Sequence, residues 1–264
     1  MSLQARVAAA LGVDVLSSQH LAVGDLGGAT RLDMADGRRL VAKTGATVER
    51  EGFMLRAIAA TGAPAPQIHH CEGDLLVMDW IEADGHAGWA SLAEGLSLLH
   101  ATQHEPYGWP EDYALGSVRV ENARSDNWPQ FWAERRILCH APHLPSSLAK
   151  RLENLAARLP HLLPAKPPTA LLHGDLWGGN VLFHQGRLAA LIDPASYYGD
   201  REVDLAMTLV FDNPPASFFE ACAPDPGWRD RVPVYQLWPL LLHLRLFGSA
   251  YRSRTESLLA ACGA

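Results

Sequence analysis

No CxxC pair occurs among the four cysteines, and Cys71, Cys139, Cys222 and Cys262 stand far apart. That scatter offers neither a disulfide framework nor a zinc cluster, and it fits a reducing compartment. No lysine or arginine run stands out and the net charge is −7, so a nucleic-acid partner has no electrostatic footprint. A cationic or neutral small substrate suits such a chain better than a polyanion. The opening residues, MSLQARVAAALGVDV, hold a short apolar patch without the charged, apolar and cleavage regions of a signal peptide. The most apolar later run, Leu237 to Phe247, is interrupted by Pro239, His243 and Arg245 and is too short to cross a bilayer. Internal repeats and low-complexity linkers are missing as well. The expectation is a cytoplasmic monomer with no membrane and no nucleic-acid partner. What remains is an ordinary globular composition over 264 residues, 48% hydrophobic and 19% charged. Such a chain can fill one large domain or two lobes.

One stretch concentrates polar chemistry: His173-Gly174-Asp175-Leu176-Trp177-Gly178-Gly179-Asn180, held between the apolar runs Ala170–Leu172 and Val181–Phe183. A polar, glycine-bearing loop on such flanks is where a scaffold displays chemistry. Thirteen residues beyond Asn180 stands a second acid, in Leu191-Ile192-Asp193-Pro194. In kinase-like folds one Asp accepts the proton of the attacking hydroxyl, while an Asn and a second Asp hold Mg²⁺. The spacing nominates Asp175 as base and Asn180 and Asp193 as metal ligands.

Such a site needs partners upstream. Residues 3–11 have the composition of a short helix that Gly12 can stop. Gly24-Asp25-Leu26-Gly27-Gly28 and Ala35-Asp36-Gly37-Arg38 read as hairpin turns, and the second leads into the strand Arg39-Leu40-Val41-Ala42-Lys43. A lone lysine there would be a solvated strand end. Behind a glycine turn it gains a second meaning. Gly27 and Gly28 can let backbone approach phosphates, and Lys43 can reach them as a point charge. A helix follows from Val48, closed by Gly62, Pro64 and Pro66, and it should carry the carboxylate that orients the lysine. Glu51 is the choice, with Glu49 as the alternative. Adjacent His69 and His70 point to opposite faces of a strand and make a poor chelate. Adenine is expected to meet backbone at Asp79, Trp80 and Ile81.

The remainder reads as mainly helical. Apolar residues recur at helical spacing over 86–103, Trp128 opens an aromatic helix to about His140, and a leucine stripe from Leu148 ends at Pro160. The loop 105–127 is punctuated by proline and glycine. A hairpin around Gln185-Gly186 should place Asn180 beside Asp193. Residues 203–264 read as helices broken by prolines, with Asp204 at a helix start, bracing the catalytic loop. The fold class that results is α+β and bilobal, protein-kinase-like. A small β-rich lobe spans 1–79, a hinge 80–85 and a larger helical lobe 86–264.

With lysine, helix glutamate, HGD-x₄-N and IDP in that order, the sequence resembles the aminoglycoside-phosphotransferase and choline-kinase branch of that fold. The W-x-G-N form of 173–180 narrows the resemblance to the fructosamine kinases, or ketosamine-3-kinases. So do Asp193-Pro194-Ala195, the block Tyr197–Met207, Tyr235-Gln236-Leu237 and His243–Gly248. The likeness covers Leu26 to Tyr251. It implies transfer of phosphate from ATP, with Mg²⁺, to the 3-hydroxyl of a ketosamine, a glycated amine. Lys43 and Glu51 would then position the phosphates. An aminoglycoside or other amino-alcohol acceptor is the alternative within the class. Outside it stand a catalytically silent nucleotide-binding protein and a metal-dependent hydrolase, and the hydrolase explains neither Lys43 nor the glycine loop. Three departures fall where acceptors would bind. Arg119-Val120-Glu121-Asn122 keeps only the Asn of Q-x-N-x-W, Asp212-Asn213-Pro214-Pro215 replaces G-G-F, and Leu242-His243 replaces N-H. The cysteine common in the family's phosphate loop is also missing, so redox control there is not expected.

Overall fold

The computed structural model describes residues 1–21, 28–101, 103 and 105–264. Residues 24–27 of the first glycine turn, Gly27 among them, lie outside the described residues. A short helix, α1 (Leu3–Leu11), opens the chain; Ser2 caps it by accepting from the Ala5 N–H, and Gly12 ends it in the left-handed region at φ 68°. Five strands then form one antiparallel sheet, β1 (Val15–Leu21), β2 (Ala29–Met34), β3 (Arg39–Thr44), β4 (Ile68–Glu72) and β5 (Leu75–Asp79), in the order β1-β2-β3-β5-β4. Between β3 and β4 runs α2 (Val48–Ala60).

Side-chain alternation divides this sheet. Leu32, Leu40, Ala42 and Val77 face α1 and pack on Val7. Ala29, Val41 and Met78 pack with Val48 and Leu55 of α2 on the other face. The period of two puts Lys43 on the face of Val41.

Residues 80–88 contain no helix or strand and lead to α3 (Trp89–Leu99). The later part of this link is tied to the second lobe. The Asp84 N–H donates to the Phe183 carbonyl at 3.0 Å, and the Asp84 carboxylate accepts from the Gln185 N–H at 2.9 Å. The Gln185 N–H, and after it the His86 N–H, hold the Asp84 carboxyl down at about 2. A Cβ at Gly88 would run into the Gly186 carbonyl, so the link and the hairpin touch through backbone.

The second lobe departs from its sequence pattern in three places. The proline- and glycine-rich loop contains a small hairpin, β6 (Tyr113–Leu115) and β7 (Val118–Val120). The aromatic helix is compound, with α4 (Trp128–Trp132) passing into a π turn at Ala133–Ile137 and a 3₁₀ turn at Leu138–His143. Prolines do not act as stops. The helix α5 (Ser146–Leu162) runs through Pro160, and α8 (Trp228–Phe247) runs through Pro233 and Pro239. A proline removes one backbone donor, and burial of the rest of the helix face outweighs that loss. On α5 the stripe Leu148, Leu152, Leu155 and Leu159 is fully buried, each leucine contributing roughly 1.5–3 kcal/mol.

The remaining pieces frame the polar loop. They are β8 (Ala170–Leu171) paired with β11 (Tyr198–Gly199), β9 (Val181–His184) paired with β10 (Arg187–Leu191), α6 (Glu202–Phe211), α7 (Ala216–Cys222) and α9 (Arg252–Ala261). Gln185 and Gly186 turn the β9–β10 hairpin at φ 51° and 70°, the left-handed pair that a two-residue turn requires. No helix of the described residues is long and apolar enough to cross a membrane.

Candidate active site

Lys43 leaves the end of β3 and reaches across to both lobes. Its ammonium lies 2.7 Å from Glu51 of α2 and also contacts the carboxylate of Asp193, beyond β10. Burial alone would pull this ammonium down, but the two carboxylates hold it above the ordinary lysine value. Burial pushes the Glu51 carboxyl up more than the ammonium lowers it, and Asp193 adds to the rise. Of the two candidate glutamates, Glu51 makes this contact. Glu49 instead accepts from the Gly73 N–H at 2.7 Å.

The polar loop is held on all sides. Asp204, in the first turn of α6, is fully buried and accepts three bonds, from the His173 N–H at 2.8 Å, the Gly174 N–H at 2.9 Å and His100 Nε2 at 2.9 Å. Burial would raise its carboxyl; these donors and the nearby histidines hold it below the ordinary value instead. His173 is itself buried, with Nε2 donating to the Ile192 carbonyl at 2.9 Å and Nδ1 3.3 Å from the Asp175 N–H. Both ring nitrogens are therefore used, and His173 braces the loop rather than facing a ligand. Gly174 turns the chain at φ 82°, where a Cβ would strike the Ala195 carbonyl. Only glycine satisfies both demands.

Braced in this way, Asp175 and Asn180 meet. Asn180 Nδ2 donates to the Asp175 carboxylate at 2.9 Å and to its carbonyl at 2.8 Å. Burial raises the Asp175 carboxyl, and His173 and Asn180 only partly offset that rise. The Ile192 N–H donates to the Asn180 carbonyl at 3.0 Å, which ties Asp193 to Asn180 across the hairpin ends. Asp193 sits in the left-handed region at φ 52°. Non-glycine residues there are uncommon and cluster at functional positions.

The donor set suits a hard cation that keeps waters and phosphate oxygens. Asn180 spends its amide nitrogen on Asp175, leaving its amide oxygen unspent, and Asp193 supplies a carboxylate oxygen. Mg²⁺ needs no more than one or two such protein oxygens beside phosphates. No cluster of three or more His, Cys, Asp or Glu suited to a metal occurs among the described residues.

The adenine-side residues are more constrained than the sequence suggests. The Asp79 N–H is spent on the Gln67 carbonyl at 2.9 Å and the Trp80 N–H on the Arg39 carbonyl at 3.1 Å. Of the three, only Ile81 keeps an N–H without a protein acceptor among the described residues. The Asp79 carboxylate instead meets His69 Nε2 at 2.6 Å. Gly28 is exposed at the start of β2, and a Cβ there would meet the His20 ring at 2.9 Å.

Sequence reasoning missed the aromatic wall beside Asp175. The Trp177 ring lies 5.9 Å from Phe211, which lies 5.2 Å from His243, itself 5.4 Å from Phe247 and 4.9 Å from Tyr251. Trp177, Phe211 and Phe247 are among the few large apolar side chains left exposed. The signal was the i, i+4, i+8 spacing of 243, 247 and 251. Asp212 joins this wall by accepting from the Gly178 N–H at 2.7 Å. Asn122, placed at the acceptor side from the sequence, is fully buried and accepts from Arg136 at 2.7 Å.

Known proteins agree with this geometry. The family model for fructosamine kinase matches residues 14–263. A probable ketoamine kinase of Synechocystis sp. is 35% identical over 230 residues, 81% of this chain and 78% of that one. A protein-ribulosamine 3-kinase of Arabidopsis thaliana is 29% identical over 205 residues, 71% of this chain and 61% of that one. The crystal structure of a Thermobifida fusca protein assigned as a fructosamine-3-kinase superposes with a TM-score of 0.89 at 30% identity, over 99% of this chain and 98% of the other. With the lysine, the helix glutamate and the loop acids in one cluster, the chain belongs to the fructosamine kinase family and is an ATP-dependent phosphotransferase acting on a hydroxyl.

Proposed function

We propose that the protein transfers the γ-phosphoryl group of ATP to the 3-hydroxyl of a ketosamine. The observation that carries this reading is the shared ammonium of Lys43. It joins Glu51 of the sheet lobe to Asp193 of the helical lobe, within the cluster that holds Asp175 and Asn180. Lys43, oriented by Glu51, binds the ATP phosphates. Ile81 offers its N–H to the adenine edge, and Gly28, at the start of β2, lets backbone approach the phosphates. Asn180 and Asp193 would hold Mg²⁺, which neutralises charge on the phosphates when bound. Asp175 takes the proton from the sugar hydroxyl as that oxygen bonds to the γ-phosphorus. The bond from phosphorus to the β–γ bridging oxygen breaks, and ADP leaves.

The aromatic wall supports an acceptor that is a sugar bearing an amine substituent. Trp177, half exposed two residues from Asp175, presents a flat apolar face where a cationic amine gains cation–π attraction, as the Arg254 guanidinium does 5.8 Å over the Phe211 ring. Ribulosamine, fructosamine and kanamycin, assayed as acceptors with ATP and Mg²⁺, test this assignment. A ketosamine is expected to exceed kanamycin in kcat/KM by about 10²-fold or more, as sites built around a substrate's own hydroxyls discriminate. Preference for kanamycin would reassign the acceptor class.

A further inference from the structure

The helix that carries Glu51 is wedged between the two lobes. One face of α2, Val48 and Leu55, packs on the sheet, and Gly52 lies so close to Cys71 that a Cβ there has no room. Another face, Met54 and Ile58, belongs to the core of the second lobe together with Leu96 and Trp109. Successive helical residues turn by about 100°, so Leu55 and Ile58 flank Glu51 within about 40° on either side. Glu51 therefore stands on the seam between the faces, where its carboxylate meets Lys43 at 2.7 Å. Turning α2 by about 20° would swing a group roughly 6 Å from its axis by about 2 Å, enough to break that bond.

An aromatic chain holds that angle from outside. Phe53, half exposed on α2, sets its ring 5.4 Å from Trp109, and Trp109 lies 5.4 Å from Tyr198 of β11. Backbone fixes the far end of the chain. The Trp109 N–H donates to the Asn122 carbonyl at 3.1 Å, and Gly108 and Tyr198 exchange N–H···O bonds at 2.9 and 2.8 Å. Tyr198 pairs with Leu171 of β8, the strand that enters the catalytic loop, and the Ala195 N–H donates to the His173 carbonyl at 2.9 Å. Phe53 thus ties the glutamate helix to the frame that holds Asp175.

The polar link between the lobes does not last through the proposed reaction. Lys43 bridges Glu51 and Asp193 in this structure, whereas the proposed roles send Lys43 to the phosphates and Asp193 to the metal. Once that bridge opens, contacts away from the chemistry must set the angle of α2. Beyond the end of the helix the Leu191 N–H holds the Pro64 carbonyl at 2.9 Å. Phe53 on Trp109 is the contact within one turn of Glu51.

We propose that Phe53 is a positioning residue: seated on Trp109, it holds α2 so that Glu51 stays on Lys43 after nucleotide has drawn Lys43 from Asp193. The inference rests on the proposed roles of Lys43, Glu51 and Asp193 and adds what keeps them in register.

Affinity for ATP in the presence of Mg²⁺, read by calorimetric titration of the full chain, tests it and needs no acceptor. Phe53→Ala is expected to weaken ATP binding by about two- to tenfold, the worth of an aromatic pair. Phe53→Tyr keeps the ring and should bind within about twofold of the parent. In a Glu51→Gln background, itself weaker for ATP, adding Phe53→Ala should cost less than about twofold more, because its effect runs through Glu51. Thermal midpoints of the free variants show that they fold, and removing a half-exposed ring opens no core cavity. Parental affinity in Phe53→Ala, or a loss of equal size in both backgrounds, overturns the inference. Glu51→Gln at parental affinity overturns the proposed role of the Lys43–Glu51 pair and the inference with it. A loss confined to Glu51→Gln overturns the inference alone.

Discussion

Asp193→Ala is expected to lower the rate of phosphoryl transfer by about 10³-fold or more, at least as much as removing Asp175, the proposed base. Phosphoryl transfer asks little covalent chemistry of a protein and depends on positioning and charge neutralisation. Asp193 serves both. Its carboxylate is proposed, with the Asn180 amide oxygen, to hold Mg²⁺, and it shares the Lys43 ammonium with Glu51. Without it Lys43 is paired on one side only, free to turn from the phosphates toward Glu51. Asp193 also holds a left-handed backbone at φ 52°, a conformation that non-glycine residues adopt seldom and mostly at functional positions. Single-turnover rates across a Mg²⁺ titration check the prediction. The variant should show both a depressed plateau and a higher Mg²⁺ requirement; a rate within about tenfold of the parent would refute the metal-ligand role.

Asp204→Ala should be the most damaging change to stability, costing about 3–5 kcal/mol. The carboxylate is fully buried and three donors converge on it, so alanine leaves two backbone N–H groups and His100 without partners. Asp204→Asn should do little better, because its amide nitrogen would face a donor. The pH dependence follows from the depressed pKa of this group. Its contribution is fully present above the unfolded value near 3.8 and is lost as pH falls through the lower folded value. Urea unfolding between pH 7 and pH 3 reads both effects. The parent should lose stability at the acid end, and the alanine variant should lose less there because this contribution is already gone. A destabilisation at pH 7 under about 1 kcal/mol would show that the loop is braced elsewhere.

The clustering of the proposed catalytic residues was legible in the sequence because it is local. Asp175, Asn180 and Asp193 lie within 19 residues of one another, on a loop and a tight hairpin whose ends must meet. Lys43 was legible from the strand that carries it, yet its glutamate was open until α2 was docked, since helical phase against a distant strand is a tertiary property. The prolines misled for a related reason. Propensity marks Pro160, Pro233 and Pro239 as stops, and only the packing of α5 and α8 shows that the lost hydrogen bonds are outweighed. The hairpin at Tyr113–Val120 is too short to show an alternating pattern. Least legible was the acceptor side. Trp177, Phe211 and His243 are 66 residues apart from first to last and share no motif, so their wall exists only in the folded chain.

The most direct test compares parent and Asp175→Asn on one ketosamine, measuring transfer of the γ-phosphoryl group alongside nucleotide affinity. Asparagine keeps the shape of the side chain that Asn180 bonds and removes the proton acceptor. The expected result is a phosphate ester on the sugar 3-hydroxyl with the parent and a rate lower by about 10²–10⁴-fold with the variant, at unchanged ATP affinity. Transfer by Asp175→Asn at the parental rate would contradict the assignment of Asp175 as the base.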